Sequence, residues 1–289
     1  MKDHITEERK KQIEEIIENI VNQEIKSGFL NQARIEKLLK KKEEFEDYII
    51  NGIIKFSNHD EFENEEVESN FSYPEEYRIK EVDEQVEILK RLLPQLSDAT
   101  YDRDIIKQPL PEGSEGWFAI PRSKLLSSTY SNAVDLVLSI ISLERGLINY
   151  CLGKFKIDFL RRNERTMKML KKISDKQKQH RILIIPCQFG INHRGRSVRR
   201  VREILKPNEF GLGVFEVACL LLTHPEREIK QEQLHLYCPG DDFAIMEDIF
   251  CHALSFNFLN NYGFLNLNYC WYCYFYEDYG SATGFFCPY

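Results

Sequence analysis

Two stretches of this chain, 128–150 and 211–224, are apolar nearly all the way round a helical axis, which marks them as buried helices rather than surface ones. In the first, Val134, Leu136, Val137, Leu138, Ile140, Ile141, Leu143 and Leu147 leave almost no polar stripe. The second runs from Gly211 to His224, ends before Pro225 and carries a single acid, Glu216. A carboxylate inside such a run needs a partner, and an arginine from the loop that precedes it is the natural one. Arg181-Ile-Leu-Ile-Ile-Pro186 has the short, branched apolar character of a buried strand, and Leu234–Cys238 is a second strand candidate. These elements predict an α+β or α/β protein with a helical N-terminal region and a larger mixed domain, in which helices flank a small sheet.

The first 57 residues read as a charged helical hairpin. Ile13, Ile16, Ile17, Ile20 and Ile25 form one stripe, Gly28 is a stop, and Leu38, Leu39, Phe45, Ile49 and Ile53 form a second stripe. Residues 58–76 carry eight acids and no Lys or Arg, the composition of a solvated linker or loop. The mixed domain spans 77–289. It opens with a short helix through Val82, Val86, Leu89 and Leu93, broken at Pro94, and a loop-rich run with Pro109, Pro111, Gly113 and Gly116. Residues 155–179 have the pattern of a basic amphipathic helix with Phe155, Phe159, Met167 and Leu170 inward. The start, Met1-Lys2-Asp3-His4, leads straight into charged helix, and the longest apolar runs fall well short of the ~20 residues that span a bilayer. The expectation is a cytoplasmic protein with no membrane segment. Eight cysteines between Cys151 and Cys287, without a compact spacing framework, read as reduced thiols packed as small apolar groups.

Charge is distributed unevenly. Between Lys154 and Lys206 stand seventeen Lys and Arg against four Asp and Glu, a net of +13 in a chain whose total is −7, which leaves −20 for the rest. Such a field attracts phosphate-bearing partners. Within it, the strand–loop–helix at 182–205 contains Gln188-Phe-Gly-Ile-Asn-His-Arg-Gly-Arg196, and a loop entering a helix start offers backbone N–H groups to an anion. Arg194, Arg196, Arg199 and Arg200, with Gly195 and Ser197, are the candidate anion-binding residues, since guanidinium forks match phosphate or carboxylate oxygens. Neither a dinucleotide-type glycine pattern nor a P-loop ending is present. The competing reading is a solvated basic face in which Arg199 and Glu203 pair at i,i+4 and the arginines neutralise acids from the N- or C-terminal regions. His193 is a candidate acid or base. Surrounding arginines would depress its pKa and leave it neutral.

Asp241 and Asp242 follow the strand candidate in Pro239-Gly-Asp-Asp242. Paired acids at a strand end can bind a divalent metal or serve as acid and base, whereas Pro-Gly-Asp is also ordinary turn chemistry. His235, Cys238, Cys251, His252, Cys270, Cys273 and Cys287 supply enough donors for zinc. Zinc is nonetheless disfavoured, because Asn268–Tyr276 has the aromatic density of a strand, where residues three apart face opposite sides. Those aromatics serve either base stacking or sheet-face packing.

Four blocks carry a resemblance: Glu115-Gly-Trp-Phe-Ala-Ile-Pro-Arg122, Gln188–Arg200, Phe210–Phe215 with Leu222-Thr-His-Pro-Glu-Arg227, and Cys238-Pro-Gly-Asp-Asp-Phe243. Over about residues 110–245 they resemble an uncharacterised family of hypothetical proteins from candidate-phylum bacteria. The resemblance implies no activity and assigns no catalytic residue, but His193–Arg196 and Asp241–Asp242 lie inside its blocks.

Taken from the residues, the first expectation is a phosphate- or anion-binding module, including nucleic acid as a ligand, with the N-terminal helices available to a protein partner. The second is a metal-assisted or acid/base enzyme of hydrolase or phosphoryl/glycosyl-transfer type, combining His193 and the arginines with Asp241 and Asp242. The third is a structural or protein-interaction module.

Overall fold

The computed structural model describes residues 6–42, 45, 46, 49, 61–227, 229–247, 249–258 and 264–287. The chain divides into two compact units, Met1–Ser57 and Asn58–Tyr289. In the first, α1 (Glu7–Lys26) starts at Thr6, whose hydroxyl accepts from the Arg9 N–H, and stops before Gly28. α2 (Gln32–Lys40) starts at Asn31, which caps Arg34 in the same way. No residue of α1 or α2 is buried, and the isoleucine stripe stands exposed. Of the second expected stripe, Ile53 lies outside the described residues.

The second unit is α+β, with two sheets and six of the eight α-helices found among the described residues. One sheet has four antiparallel strands in the order β1 (Gly116–Pro121), β4 (Ile182–Gln188), β10 (Thr283–Phe285), β5 (Glu209–Gly211). It is covered on both faces, which is why β4 is apolar throughout rather than alternating. Ala119, Ile182 and Ile184 pack against α3 (Val82–Leu92), through Val86 and Leu89. Phe118, Ile120, Leu183 and Ile185 face the main core with α5 (Tyr130–Arg145) and α8 (Val214–Thr223). Every residue of α8 is buried, as its all-round apolar sequence demands. α4 (Ser123–Leu126) is a single turn between β1 and α5.

The other sheet runs β2 (Leu147–Asn149), β8 (Leu265–Trp271), β7 (Phe250–Phe258), β6 (His235–Ala244). β3 (Leu160–Arg162) and β9 (Tyr279–Ser281) share the remaining edge of β6 at its two ends, β3 antiparallel at 241–243 and β9 parallel at 235–237. Leu236, Cys238, Leu254, Phe256, Leu265 and Leu267 join the same core as α5 and α8, so the two sheets share one interior.

Three expectations change. The basic helix begins only at Glu164: β3 takes residues 160–162, Asn163 caps the Arg165 N–H at 3.0 Å, and α6 runs Glu164–Lys176. Its buried residues are Thr166, Leu170 and Ile173, while Met167 is half exposed. Pro239-Gly-Asp-Asp242 is no turn, because β6 passes straight through it with a register shift against β7 between Cys238 and Phe243. Residues 61–76 are no free linker, as the hydrogen bonds below establish. The helix expected at 197–205 is α7 (Val198–Ile204), capped by the Ser197 hydroxyl. No helix among the described residues is long and apolar enough to cross a membrane.

Candidate functional site

The arginine loop between β4 and α7 holds two anions, and both belong to the chain itself. The Glu65 carboxylate accepts from the Ser197 hydroxyl at 2.6 Å and from Arg199 Nε at 2.7 Å, with Arg199 Nη2 closing a fork. Glu66 accepts from Arg196 Nε at 2.7 Å and lies 3.7 Å from Arg200 Nε. Arg200 Nη1 reaches Glu203 at 2.9 Å, and Glu203 in turn accepts the Glu61 N–H at 2.8 Å. Burial would raise the Glu65 carboxyl, but the Arg199 and Ser197 bonds outweigh it and hold it below the usual carboxylate range; Arg196 above all does the same for Glu66. Arg194 donates to the Phe71 carbonyl at 3.0 Å.

Side chains, not main-chain donors, do this work. The Ser197 N–H goes to the Glu65 main-chain carbonyl and the Gly195 N–H to that of Tyr279, so the expected backbone cradle is spent on holding segments together. The acidic segment is a strap: Val67 N–H donates to Gly195 O at 2.8 Å, Leu234 N–H to Ser72 O at 2.9 Å, and Ile191 N–H to the Tyr73 hydroxyl at 3.1 Å. Tyr73 donates to Glu115, whose carboxyl burial pushes up to about 6, and the buried Arg227 lies 4.3 Å over the Tyr73 ring.

Gly195 is what lets strap and loop meet. Its φ is +73°, and a Cβ there would sit 2.0 Å from the Val67 carbonyl oxygen. Gly195→Ala is therefore expected to cost about 1–3 kcal/mol and to release the strap. Urea unfolding and limited proteolysis between residues 61 and 68 read both effects, and an alanine variant with unchanged stability and protection contradicts this role.

His193 bonds a carboxylate. It is buried, its Nε2 lies 2.7 Å from Glu209 Oε1, and the group facing it is thus a carboxylate rather than a cation. Burial would raise the Glu209 carboxyl, but His193, the Thr283 hydroxyl at 2.6 Å and the Lys206 N–H more than offset this and keep it ionised.

Asp241 and Asp242 diverge, as neighbours on a strand must. Asp241 is fully buried and accepts from the Tyr130 hydroxyl at 2.8 Å and the Val214 N–H at 2.7 Å; burial, opposed by Arg162, pushes its carboxyl up to about 7. A Cβ on Gly213 would stand 2.7 Å from Asp241 Oδ1 and from the Tyr130 hydroxyl, so a larger residue there would have to displace this pair. Asp242 faces Arg202 Nη1 at 2.8 Å, Arg161 Nε at 3.2 Å and the Tyr272 hydroxyl at 2.6 Å. A shared metal between the two acids does not fit this arrangement, and no group of three His, Cys, Asp or Glu among the described residues is placed to hold one. Of the zinc donors considered, Cys238 is buried in β6, Cys270 is on β8, and Cys273 is in the turn beyond it.

The partner of Glu216 is Arg162 of β3, not an arginine of the loop before α8. Arg162 also lies 4.0 Å over the Tyr130 ring. Among the described residues His193 and Asp241 share no hydrogen-bond partner. Tyr130, Arg162, Glu65 and Glu66 partner the candidate residues and are not singled out by local sequence patterns. The eight acids at 58–76 are the only visible trace of Glu65 and Glu66. Comparison with protein-family models, with curated proteins and with solved structures gave no match.

Proposed function

We propose that this protein is an anion-binding module whose receptor is the arginine loop at 194–200, and whose ligand is a phosphate-bearing molecule that competes with the strap. The observation that carries the reading is the Glu65 carboxylate seated between the Ser197 hydroxyl and the Arg199 fork, a donor set a phosphate oxygen pair can take over without rearrangement. Three arginines of the loop and its helix, Arg196, Arg199 and Arg200, meet the carboxylates of Glu65, Glu66 and Glu203, and Arg194 donates to a main-chain carbonyl. The strap acts as a built-in competitor that sets a threshold on affinity and rejects weakly charged anions.

The test removes the competitor's charge. Glu65→Gln/Glu66→Gln is expected to bind a single-stranded oligonucleotide about tenfold more tightly than the wild type at ~50 mM salt, with the binding of both collapsing by ~200 mM. Fluorescence anisotropy of a labelled 12-mer, with inorganic pyrophosphate as a competitor, reads this. Equal affinities for the two proteins, or an affinity indifferent to salt, defeat the proposal.

A further inference from the structure

One face of α1 is apolar and exposed. Ile13, Ile16, Ile17, Ile20 and Val21 stand at i, i+3, i+4, i+7 and i+8, the spacing of a single helical stripe, and each keeps between 38 and 59% of its surface exposed. In water most of a helix's stability comes from packing such a stripe, and α1 buries no residue. Contiguous aliphatic surface of this kind marks an interaction site.

The charges at the two ends of the stripe identify its partner. Arg9 and Lys10 continue the same face toward the N-terminus, four and three residues before Ile13, and Glu24 continues it toward the C-terminus, four residues after Ile20. Arg9 and Lys10 are exposed and Glu24 is partly exposed. Lys10 also lies 3.9 Å from Glu7, an exposed pair of little strength. The face is thus cationic at one end, aliphatic in the middle and anionic at the other. Such a surface complements itself when a second copy lies against it in the opposite direction. With a two-fold axis between residues 16 and 17, Ile13 meets Ile20 of the second copy, Ile16 meets Ile17, and Arg9 meets Glu24 with Lys10 beside it. The two-fold repeats each pairing, so both ends are matched together. A parallel dimer would instead set Arg9 and Lys10 against themselves and Glu24 against Glu24.

We infer that α1 is a self-association element: two copies of this chain pair antiparallel through the isoleucine stripe, with Arg9 of each copy meeting Glu24 of the other. The pairing rests on the N-terminal unit alone and stands whether or not the arginine loop takes a phosphate. Twenty residues make a helix about 30 Å long, so the contact belongs at the small end of specific interfaces, with a dissociation constant on the order of micromolar.

Sedimentation equilibrium of the full chain reads the pairing. The mass of two chains is expected at ~100 μM, falling toward that of one chain on dilution to ~1 μM. Ile17→Glu places a charge at the centre of the stripe in both copies and is expected to weaken the dimer about a hundredfold. Exchange of the end charges tests the same pairing without touching an apolar group. Glu24→Arg is expected to weaken the dimer about tenfold, and the triple variant Arg9→Glu/Lys10→Glu/Glu24→Arg to restore it, since only the antiparallel order brings the exchanged charges back together. A single-chain mass at ~100 μM overturns the proposal and leaves the stripe to a different partner. It is equally overturned by an assembly larger than two copies, by a dimer indifferent to Ile17→Glu, or by a triple variant that stays as weak as Glu24→Arg.

Discussion

Arg162→Met is expected to destabilise the larger unit by about 3–5 kcal/mol, the cost of stranding a buried charge. Glu216 is 2% exposed in the first turn of α8, where its second oxygen accepts the Gly213 N–H at 3.2 Å. Burial works against a guanidinium at Arg162, yet Glu216 more than offsets it and pushes the arginine above its usual pKa. With methionine at 162, the buried Glu216 carboxyl loses its cation, and Asp241 stands nearby as a second acid. The double variant Arg162→Met/Glu216→Leu removes both charges together and is expected to recover most of the loss, because apolar groups of similar volume replace a buried ion pair at little cost. Urea unfolding with an unchanged m-value measures both. If the double variant is as unstable as the single one, lost packing rather than stranded charge explains the effect, and the pair is not the stabilising unit described.

That pair also shows where the sequence stops being legible. The all-round apolar run of α8 is readable because burial is its only explanation, and the need of Glu216 for an arginine follows from the same logic. Which arginine answers is not readable. Arg162 lies in a stretch whose basic, 3.6-residue pattern resembles helix, and residues 160–162 become β3 only because the edge of β6 at 241–243 offers them a ladder. Pro239-Gly-Asp-Asp242 misleads for a related reason: its local chemistry is that of a turn, but Gly240 packs so tightly on the backbone of residues 211–213 that a Cβ would fall 2.4 Å from Gly213 N, and the chain runs on as strand. Contacts between β6 and segments 30 or 80 residues away override the propensity.

The arginine loop follows the same division. Arg194, Arg196, Arg199 and Arg200 are visible as a cluster from composition and order, and so is the idea that acids elsewhere in the chain neutralise them. The register is not visible. Glu65 meets Arg199 across more than 130 residues, and no periodicity in either segment encodes that meeting. Composition alone makes 58–76 a solvated linker; tertiary pairing makes its described part a strap. The aromatic tail is misread as one long strand because its ring density fits a pleated surface, whereas β8 ends at Trp271 and the rings beyond it pack on one another.

The contribution of Asp241 to the stability of the larger unit is expected to fall as pH rises from about 4 to about 7, and Asp241→Asn to remove that fall. Asp241 has a carboxyl pushed up to about 7 by burial, against Arg162 from β3, with Glu216 from α8 adding repulsion and the Val214 N–H and the Tyr130 hydroxyl from α5 favouring the ionised form and so limiting the rise. Below about pH 4 the group is protonated whether the chain is folded or not, so it contributes no difference. Between about 4 and 7 the unfolded chain releases this proton while the fold retains it; the unfolded state then binds fewer protons, and folding loses ground with every step upward. Above about 7 both forms are ionised and the loss levels off at roughly 4 kcal/mol, since each tenfold in proton affinity is worth about 1.4 kcal/mol. Asparagine keeps the acceptor for the Val214 N–H and cannot ionise. Any fixed cost of the replacement is the same at every pH, so the difference between variant and wild type isolates the titration: it should swing toward the variant across the pH 4–7 window and stay constant outside it. Glu115, pushed up to about 6 by burial, tilts the wild-type curve in the same direction, His224, pushed down to about 4 by burial, tilts it the other way, and both cancel from that difference. A difference that stays flat across the window means that Asp241 is already ionised in the fold at low pH, and that Arg162 rather than burial governs the charge of the cluster.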